Sequence, residues 1–453
     1  MMRNRVLIGI LSRTPVLILA LLAFPLLCVS ARSSDDVRFP LRIEAGSRYL
    51  ADASGRPFLI QGDAAWSLIA QLTREEADQY LADRKAKGFN TLLVSLIEHQ
   101  FATNAPANIY QDHPFREPGL FSAPNERYFA HADWVLRRAA DYGFLVLLAP
   151  AYVGAGGGGQ GWFMTMARNG PDKLREYGRF VGRRYGGFNN IIWVHGGDEC
   201  PAQKDLVRAI VDGIRAEDPD ALHTAHCAGD IAPIEFWQGE SWLNINTLYT
   251  YGSVSGAARR EYARPEKMPF FLIESIYENE HLSGEQSLRR QAYQALLSGA
   301  AGQVFGNNPI WHFGSGGLYP APVTWKEALN GRGTQSMSHI AALFRDIPWW
   351  TLRPDGTGLF LKGNKLGDGD DALAAVSEDG ALAIVYVPDL RAITIDFSRL
   401  SGPGLVARWF DPAAGTLSQP LDMSLSGAVT SVEPPGRNSS GTTDWVLIVK
   451  ASP

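Results

Sequence analysis

From residue 58 onward the chain repeats one pattern eight times: a short apolar, β-branched run followed by a longer stretch with helical period. A connection between parallel strands must travel back the length of the sheet, so this alternation predicts parallel strands joined by crossover helices. The eight runs are Phe58 to Gly62, Thr91 to Ile97, Phe144 to Ala149, Ile191 to His195, Leu222 to His226, Ile245 to Tyr249, Phe270 to Glu274 and Gly302 to Gly306. Between them lie helix candidates such as TREEADQYLADRKAKG, whose Thr73 and Glu76 have capping-box spacing, and HADWVLRRAADYG; each ends at a glycine. Eight such units over roughly 250 residues are what a closed barrel requires, whereas a doubly wound sheet usually uses fewer. The fold class expected is α/β, a TIM (β/α)8 barrel.

Leu41 to Asp52, before the first run, reads as a small hairpin plugging the barrel bottom. After a last helix over Ser338 to Asp346 and the stretch Pro348-Trp349-Trp350, the pattern changes to LAAVSEDGALAIVYVPD, AITIDFS, LVARWFDPAAGTL and DWVLIVK. Short alternating strands separated by Gly, Asp and Pro predict a small antiparallel β-sandwich. The domain division expected is a barrel over 37–348 and a sandwich over 353–453, with Pro348, Trp349 and Trp350 buried at the junction.

Residues 1–31 belong to neither domain. Arg3, Arg5 and Arg13 precede an apolar run from Val16 to Leu27, and Val29-Ser30-Ala31 supplies the small residues of a signal-peptidase site. The run is shorter than the ~20 residues of a spanning helix, so cleavage is expected, giving a periplasmic or secreted protein with no membrane association afterwards. Pro25-Leu26-Leu27 before Cys28 lacks a lipoprotein pattern, so no lipid anchor is expected. Loss of three arginines and no acids takes the formal net charge from −5 to −8. An acidic exported chain is a poor nucleic-acid binder. Cys200 and Cys227 remain, enough for one bridge or two buried thiols.

In a TIM barrel the chemistry sits where strands end, at the carboxyl face. NNIIWVHGGDECP, Asn189 to Pro201, is read as strand four: Gly196 and Gly197 allow a tight turn that delivers Asp198 and Glu199 to the mouth. MPFFLIESIYENE is strand seven, with Glu274 at its tip. Strands four and seven lie across the barrel from each other, so their carboxylates can flank a substrate in the mouth. Glycoside cleavage needs such a pair, one acid to protonate the leaving oxygen and one carboxylate to attack carbon or activate water. Either Asp198 or Glu199 could instead cap the following helix. Sugars offer hydroxyls and apolar C–H faces, which carboxylates and aromatic planes match. The candidate substrate-binding residues are therefore Asp63, Trp66, His99, His195, Glu199, Tyr249, Tyr251 and Trp311, all near strand ends.

Three further signals carry less. Gly154-Ala155-Gly156-Gly157-Gly158-Gly159 formally matches GxGxxG, but follows the third strand and makes a poor helix start, so it reads as a loop over the site. His223 and His226 point to opposite faces of one strand, a poor chelate even with Cys227 beside them. No GxSxG elbow is present, and Ser275 has no base beside it in sequence.

With FLIQGDAAW at strand one, WVHGGDE at strand four, FLIESIYE at strand seven and PWWTLRPD at the junction, the sequence resembles the apiosidase-like glycoside hydrolases. Those barrel enzymes are often followed by a sandwich named for collagen binding, and the likeness runs from about residue 40 to the C-terminus. The resemblance implies a retaining hydrolase with Asp198 as acid/base and Glu274 as nucleophile. Many relatives in the wider clan carry Asn-Glu at strand four, which would make Glu199 the proton donor instead. It also implies a bacterial, exported degrader of plant polysaccharide, the described activity being release of apiose-linked side chains from pectin. No metal or organic cofactor is expected, the partner is an oligo- or polysaccharide, and the protein is expected to be a monomer. A rival from another class is a non-catalytic carbohydrate-binding or adhesion protein with a degenerate barrel, which the intact carboxylate pair disfavours.

Overall fold

The computed structural model describes residues 37–451, apart from Leu282, Ser315, 364–370, Pro403 and 422–428. The expected leader lies outside the described residues.

Eight parallel strands form one sheet: β1 (Ile60–Ala64), β2 (Thr91–Ser95), β3 (Leu145–Ala149), β4 (Ile191–Gly196), β5 (Leu222–His226), β6 (Asn246–Tyr249), β7 (Phe270–Glu274) and β8 (Gly302–Phe305). Their order is β5-β4-β3-β2-β1-β8-β7-β6, the circular order of a TIM barrel. The β5–β6 edge carries no strand ladder and is joined by the Asn244 amide, which donates to the His223 carbonyl (3.0 Å), and by side chains. Thr224 Oγ1 donates to the Ile245 carbonyl (2.8 Å) and Thr247 Oγ1 to the Ala225 carbonyl (2.6 Å).

Parity divides each strand between two cores. Ile60, Ala64, Leu93, Leu147, Ile192 and Val194 fill the barrel interior. Their neighbours Leu92, Val94, Leu148 and Trp193 pack outward under the helices. Strands buried on both faces need apolar residues at every position, which is why they read as continuous runs. The principal helices are α1 (Arg74–Ala86), α2 (Glu126–Asp141), α3 (Phe163–Tyr185), α4 (Lys204–Glu217), α5 (Val254–Tyr262), α6 (Glu285–Leu297) and α7 (Arg332–Arg345). The Thr73 capping box opens α1.

Several strand ends differ from the sequence reading by one or two residues, and two boundaries change the packing picture. Phe58 is not in β1 but in a short antiparallel pair, Leu50–Ala51 with Pro57–Phe58, whose Leu50 and Phe58 join Leu41 in plugging the interior from below. Helix α7 starts at Arg332, six residues before the expected Ser338, because its first turns carry Gly and polar residues.

The C-terminal region pairs a six-stranded antiparallel sheet built around Leu382–Val387 and Trp445–Ala451 with a three-stranded sheet of Leu361–Lys362, Ile393–Asp396 and Val429–Val432. It docks on α6. Arg289 Nε and Nη2 donate to the Asp444 carboxylate, each at 2.8 Å, with both side chains fully buried. Tyr293 stacks on Tyr386 at 5.0 Å. Removing one partner of a buried pair typically costs 3–5 kcal/mol, roughly, because the other charge is stranded. Helix α6 thus makes the polar and stacked contacts of the junction, and α7 adds His339 beside the Pro412 carbonyl. Pro348 is exposed and Trp349 and Trp350 are only half-buried, contrary to the expected burial, since they form a short turn outside that contact.

Candidate active site

The end of β4 is a turn that few residues could form. Gly196, Gly197 and Asp198 have φ of 90°, 109° and 53°, three successive left-handed residues. A Cβ at Gly196 would lie 2.5 Å from the His226 carbonyl oxygen, and one at Gly197 2.3 Å from the Tyr152 ring. At Asp198 this conformation costs roughly 1–2 kcal/mol, so surrounding contacts must hold it. The Gly197 amide donates to the His226 carbonyl (2.8 Å) and the Asp198 amide to His226 Nδ1 (3.0 Å). Tyr152, following β3, donates its hydroxyl to Asp198 Oδ2 at 2.7 Å. Asp198 Oδ1 is buried with no hydrogen-bond partner.

Glu274 reaches the same point from β7. The β6–β7 register slips after Leu248, which faces Leu272, so that Tyr249 faces Glu274 and Ile273 is the extra residue. A slip of this kind re-aims the next side chain, and Glu274 turns into the mouth above Ile273. Its Oε2 accepts from His226 Nε2 (2.9 Å) and its Oε1 from the Tyr251 hydroxyl (3.2 Å). With Nδ1 already accepting the Asp198 amide, the neutral His226 ring keeps its proton on Nε2 and donates it. One oxygen of Asp198, one of Glu274 and a His226 nitrogen lie within 4.8 Å of one another. Such a trio can resemble a metal site, but a ring that spends Nε2–H on Glu274 is a donor, not a ligand.

Burial, and next the charge of Asp198, push the Glu274 carboxyl above the ordinary range, against the hydrogen bonds of His226 and Tyr251. Burial works against charging His226, and the hydrogen bond to Glu274 with the charges of Asp198 and Glu274 outweighs it. Two carboxylates this close, Glu274 buried and Asp198 half-buried, cannot both ionise cheaply, so the pair favours holding one proton.

The carboxylates open into a cavity of about 650 Å3. Trp66, Tyr277 and Trp311, each 6–7% exposed, wall its deep part, while Tyr251 and Tyr319, 48% and 41% exposed, stand at the rim. Ala155 and Gln160 from the glycine-rich loop also line it, as that loop's reading anticipates. Four carboxylates line the cavity, Glu98, Asp198, Glu274 and Glu280, and no Lys or Arg does so among the described residues. Glu98 is already satisfied, by Ser67 Oγ (2.7 Å) and the amides of His99, Gln100 and Phe101. Glu280 accepts from Trp311 Nε1 at 2.9 Å.

Of the sequence candidates, Asp198, Glu274, Trp66, Tyr249, Tyr251 and Trp311 meet in this cavity. Asp63, His195, His99 and Glu199 do not line it. Asp63 lies within β1 at an outward position, where Tyr80 donates to it (2.7 Å) and Arg84 pairs with it (3.4 Å). His195 is likewise outward on β4, its Nε2 2.9 Å from His223 Nδ1 and its ring beside Trp242. His99 packs edge-on against Trp162, and Glu199 lies past the turn, half-buried. Ser275 donates to the Thr250 carbonyl. Sequence reasoning passed over Tyr152, Tyr277, Glu280 and the role of His226. His226 is a strand-end residue by the same rule that singled out Glu274, so that signal was present. Cys200 and Cys227 form a disulfide, with Cα atoms 4.5 Å apart.

A parallel eight-stranded barrel with two carboxylates facing each other in an aromatic-walled cavity defines a carbohydrate-active enzyme of the glycoside hydrolase class. Residues 44–351 match the apiosidase-like catalytic domain, and the chain belongs to that family. Residues 359–450 match a domain described as "Putative collagen-binding domain of a collagenase". Among solved structures, one described as a glycoside hydrolase is 27% identical with a TM-score of 0.79, covering 91% of this chain and 97% of its own. A glycoside hydrolase family 5 protein from Bacteroides vulgatus is 24% identical with a TM-score of 0.78, covering 92% and 94%. No curated protein sequence matches.

Proposed function

We propose that the chain is an exported, retaining glycoside hydrolase acting on side chains of plant cell-wall polysaccharide, with apiose-bearing pectin the first substrate to test. The observation that carries this reading is the distance across the cavity: oxygens of Asp198 and Glu274 within 4.8 Å. Retaining enzymes hold their carboxyl groups about 5–5.5 Å apart, whereas inverting ones leave roughly 6.5–9.5 Å for a water. The hydrogen bonds support the division of labour. Glu274, with two donors on its carboxylate, is the ionised partner and attacks the anomeric carbon as the glycosidic C–O bond breaks. Asp198, whose Oδ1 lacks a hydrogen-bond partner at the cavity wall, gives a proton to the leaving oxygen. Asp198 then takes a proton from water as the water oxygen bonds to the anomeric carbon and the Glu274 ester bond breaks. Glu199, outside the cavity, is not part of this scheme.

The deep aromatic walls would hold the sugar being transferred and the rim its aglycone. The experiment is incubation of the purified protein with apiose-bearing pectic oligosaccharides and a panel of aryl glycosides, reading released sugar. Release from pectic material supports the substrate assignment, release only from other glycosides moves it to another sugar, and release from none overturns the enzyme reading. Export is tested by sequencing the N-terminus of the protein recovered from the producing cell, with a start near residue 32 expected.

A further inference from the structure

We infer that the Cys200–Cys227 disulfide is a positioning device for the acid/base, holding Asp198 and His226 in register with Glu274; this rests on the roles proposed above. Cys200 lies two residues after Asp198, and Cys227 directly follows His226, so the bridge joins the turn that carries one carboxylate to the strand end whose imidazole touches both. Two of the hydrogen bonds on the turn run to that same strand end, the Gly197 amide to the His226 carbonyl and the Asp198 amide to His226 Nδ1; the others come from the loop after β3, the Val153 and Gly154 amides to the Gly196 and Gly197 carbonyls and the Tyr152 hydroxyl to Asp198. The turn itself supplies no rigidity of its own kind, being three successive left-handed residues, one of them not glycine.

Strand β5 needs such a tie more than its neighbours do. It has a ladder partner on the β4 side only, its other edge being held by Asn244, which pairs with the His223 backbone, and by the Thr224 and Thr247 hydroxyls. The bridge is a covalent tie between the end of β5 and the segment leaving the Asp198 turn, so without it His226 and that turn are held together by hydrogen bonds only. Cys200 and Cys227 are 3% and 1% exposed, and Trp237 Nε1 donates to Cys200 Sγ at 3.2 Å, so the bond is sealed from solvent and serves geometry, not redox sensing.

The test uses the full chain as a Cys200→Ser/Cys227→Ser double variant, in which the serine at 200 still accepts from Trp237. A Cys200→Ala/Cys227→Val variant stands in if the first does not fold, and circular dichroism and the thermal midpoint establish that the variant is folded at the assay temperature. Misplacement by an ångström costs a reaction about 10²-fold, so kcat on a pectic oligosaccharide should fall by roughly 10- to 100-fold with KM unchanged. On the 2,4-dinitrophenyl glycoside of the released sugar, which needs no proton, the fall should stay below about threefold. Equal loss on both substrates, or no loss, overturns the inference. A second readout needs no substrate: 15N NMR of the imidazoles, with His226 assigned against His226→Gln. The bridged protein should show the single Nε2–H tautomer and the variant a mixture. A single unchanged tautomer in the variant overturns the inference even where the wild type cleaves no glycoside, an outcome that would separately sink the proposed function.

Discussion

Asp63 and Glu274 are both carboxylates at the ends of barrel strands, both closed off from bulk solvent, and both pushed upward by burial, Asp63 to about 6. They differ in what the remaining contacts do. Asp63 faces outward between β1 and α1, where Arg84, itself fully buried, and Tyr80 complete a sealed cluster. Glu274 faces a cavity, and its neighbours are a second carboxylate and a histidine that serves both. A buried acid matched by a cation serves the fold, whereas one set against another acid beside open space is poised for proton chemistry.

The comparison breaks most visibly on substitution. Glu274→Gln should lower turnover by more than about 10³-fold on every substrate, since it removes the attacking oxygen, while the thermal midpoint holds or rises because a like-charge contact is relieved. Asp63→Asn should do the reverse: roughly 1–3 kcal/mol of stability lost as the sealed cluster loses its charge-assisted contacts to Tyr80 and Arg84, which keeps Asp83, with kcat of the surviving folded fraction near wild type. Denaturant unfolding and initial rates on both variants check this. If Asp63→Asn lost activity without losing stability, the division between the two acids would be wrong.

Less of this was legible in the sequence than of the fold. Strands Leu222–His226 and Phe270–Glu274 begin and end where the sequence puts them, because uninterrupted apolar runs stop at polar residues. The run Phe58-Leu59-Ile60 misled, since Phe58 is apolar for the sake of the bottom plug and β1 continues to Ala64. That error placed Asp63 in a loop at the mouth when it sits on the outward face. The inward turn of Glu274 depends on a register slip against β6, and a slip leaves no mark in either strand alone. His226 was visible as a strand-end residue. Its partnership with both carboxylates depends on a turn at Asp198 that no spacing rule encodes.

Smaller effects sharpen the account of the pair. Asp198→Asn should cost roughly 10²–10⁴-fold on substrates with poor leaving groups and little on activated aryl glycosides, with Glu199→Gln near wild type on both. Leaving-group dependence in Glu199→Gln and not in Asp198→Asn would move the acid one residue along. The pH profile follows from the raised Glu274 carboxyl: protonation removes the nucleophile, so the acid limb of kcat/KM falls away at a higher pH than an ordinary glutamate would give. Because the Asp198 charge is one cause of that shift, Asp198→Asn assayed on an activated glycoside should move the limb to lower pH. An unmoved limb would mean that the two carboxyl groups do not share a proton.

The central claim, that Asp198 and Glu274 act as acid/base and nucleophile across one cavity, is tested most directly by the stereochemistry of the first product. Proton NMR of the reaction in its first minutes should show the released sugar with the anomeric configuration of the substrate, before mutarotation blurs it. Appearance of the opposite anomer first would show a single displacement by water and contradict the assignment of Glu274 as nucleophile.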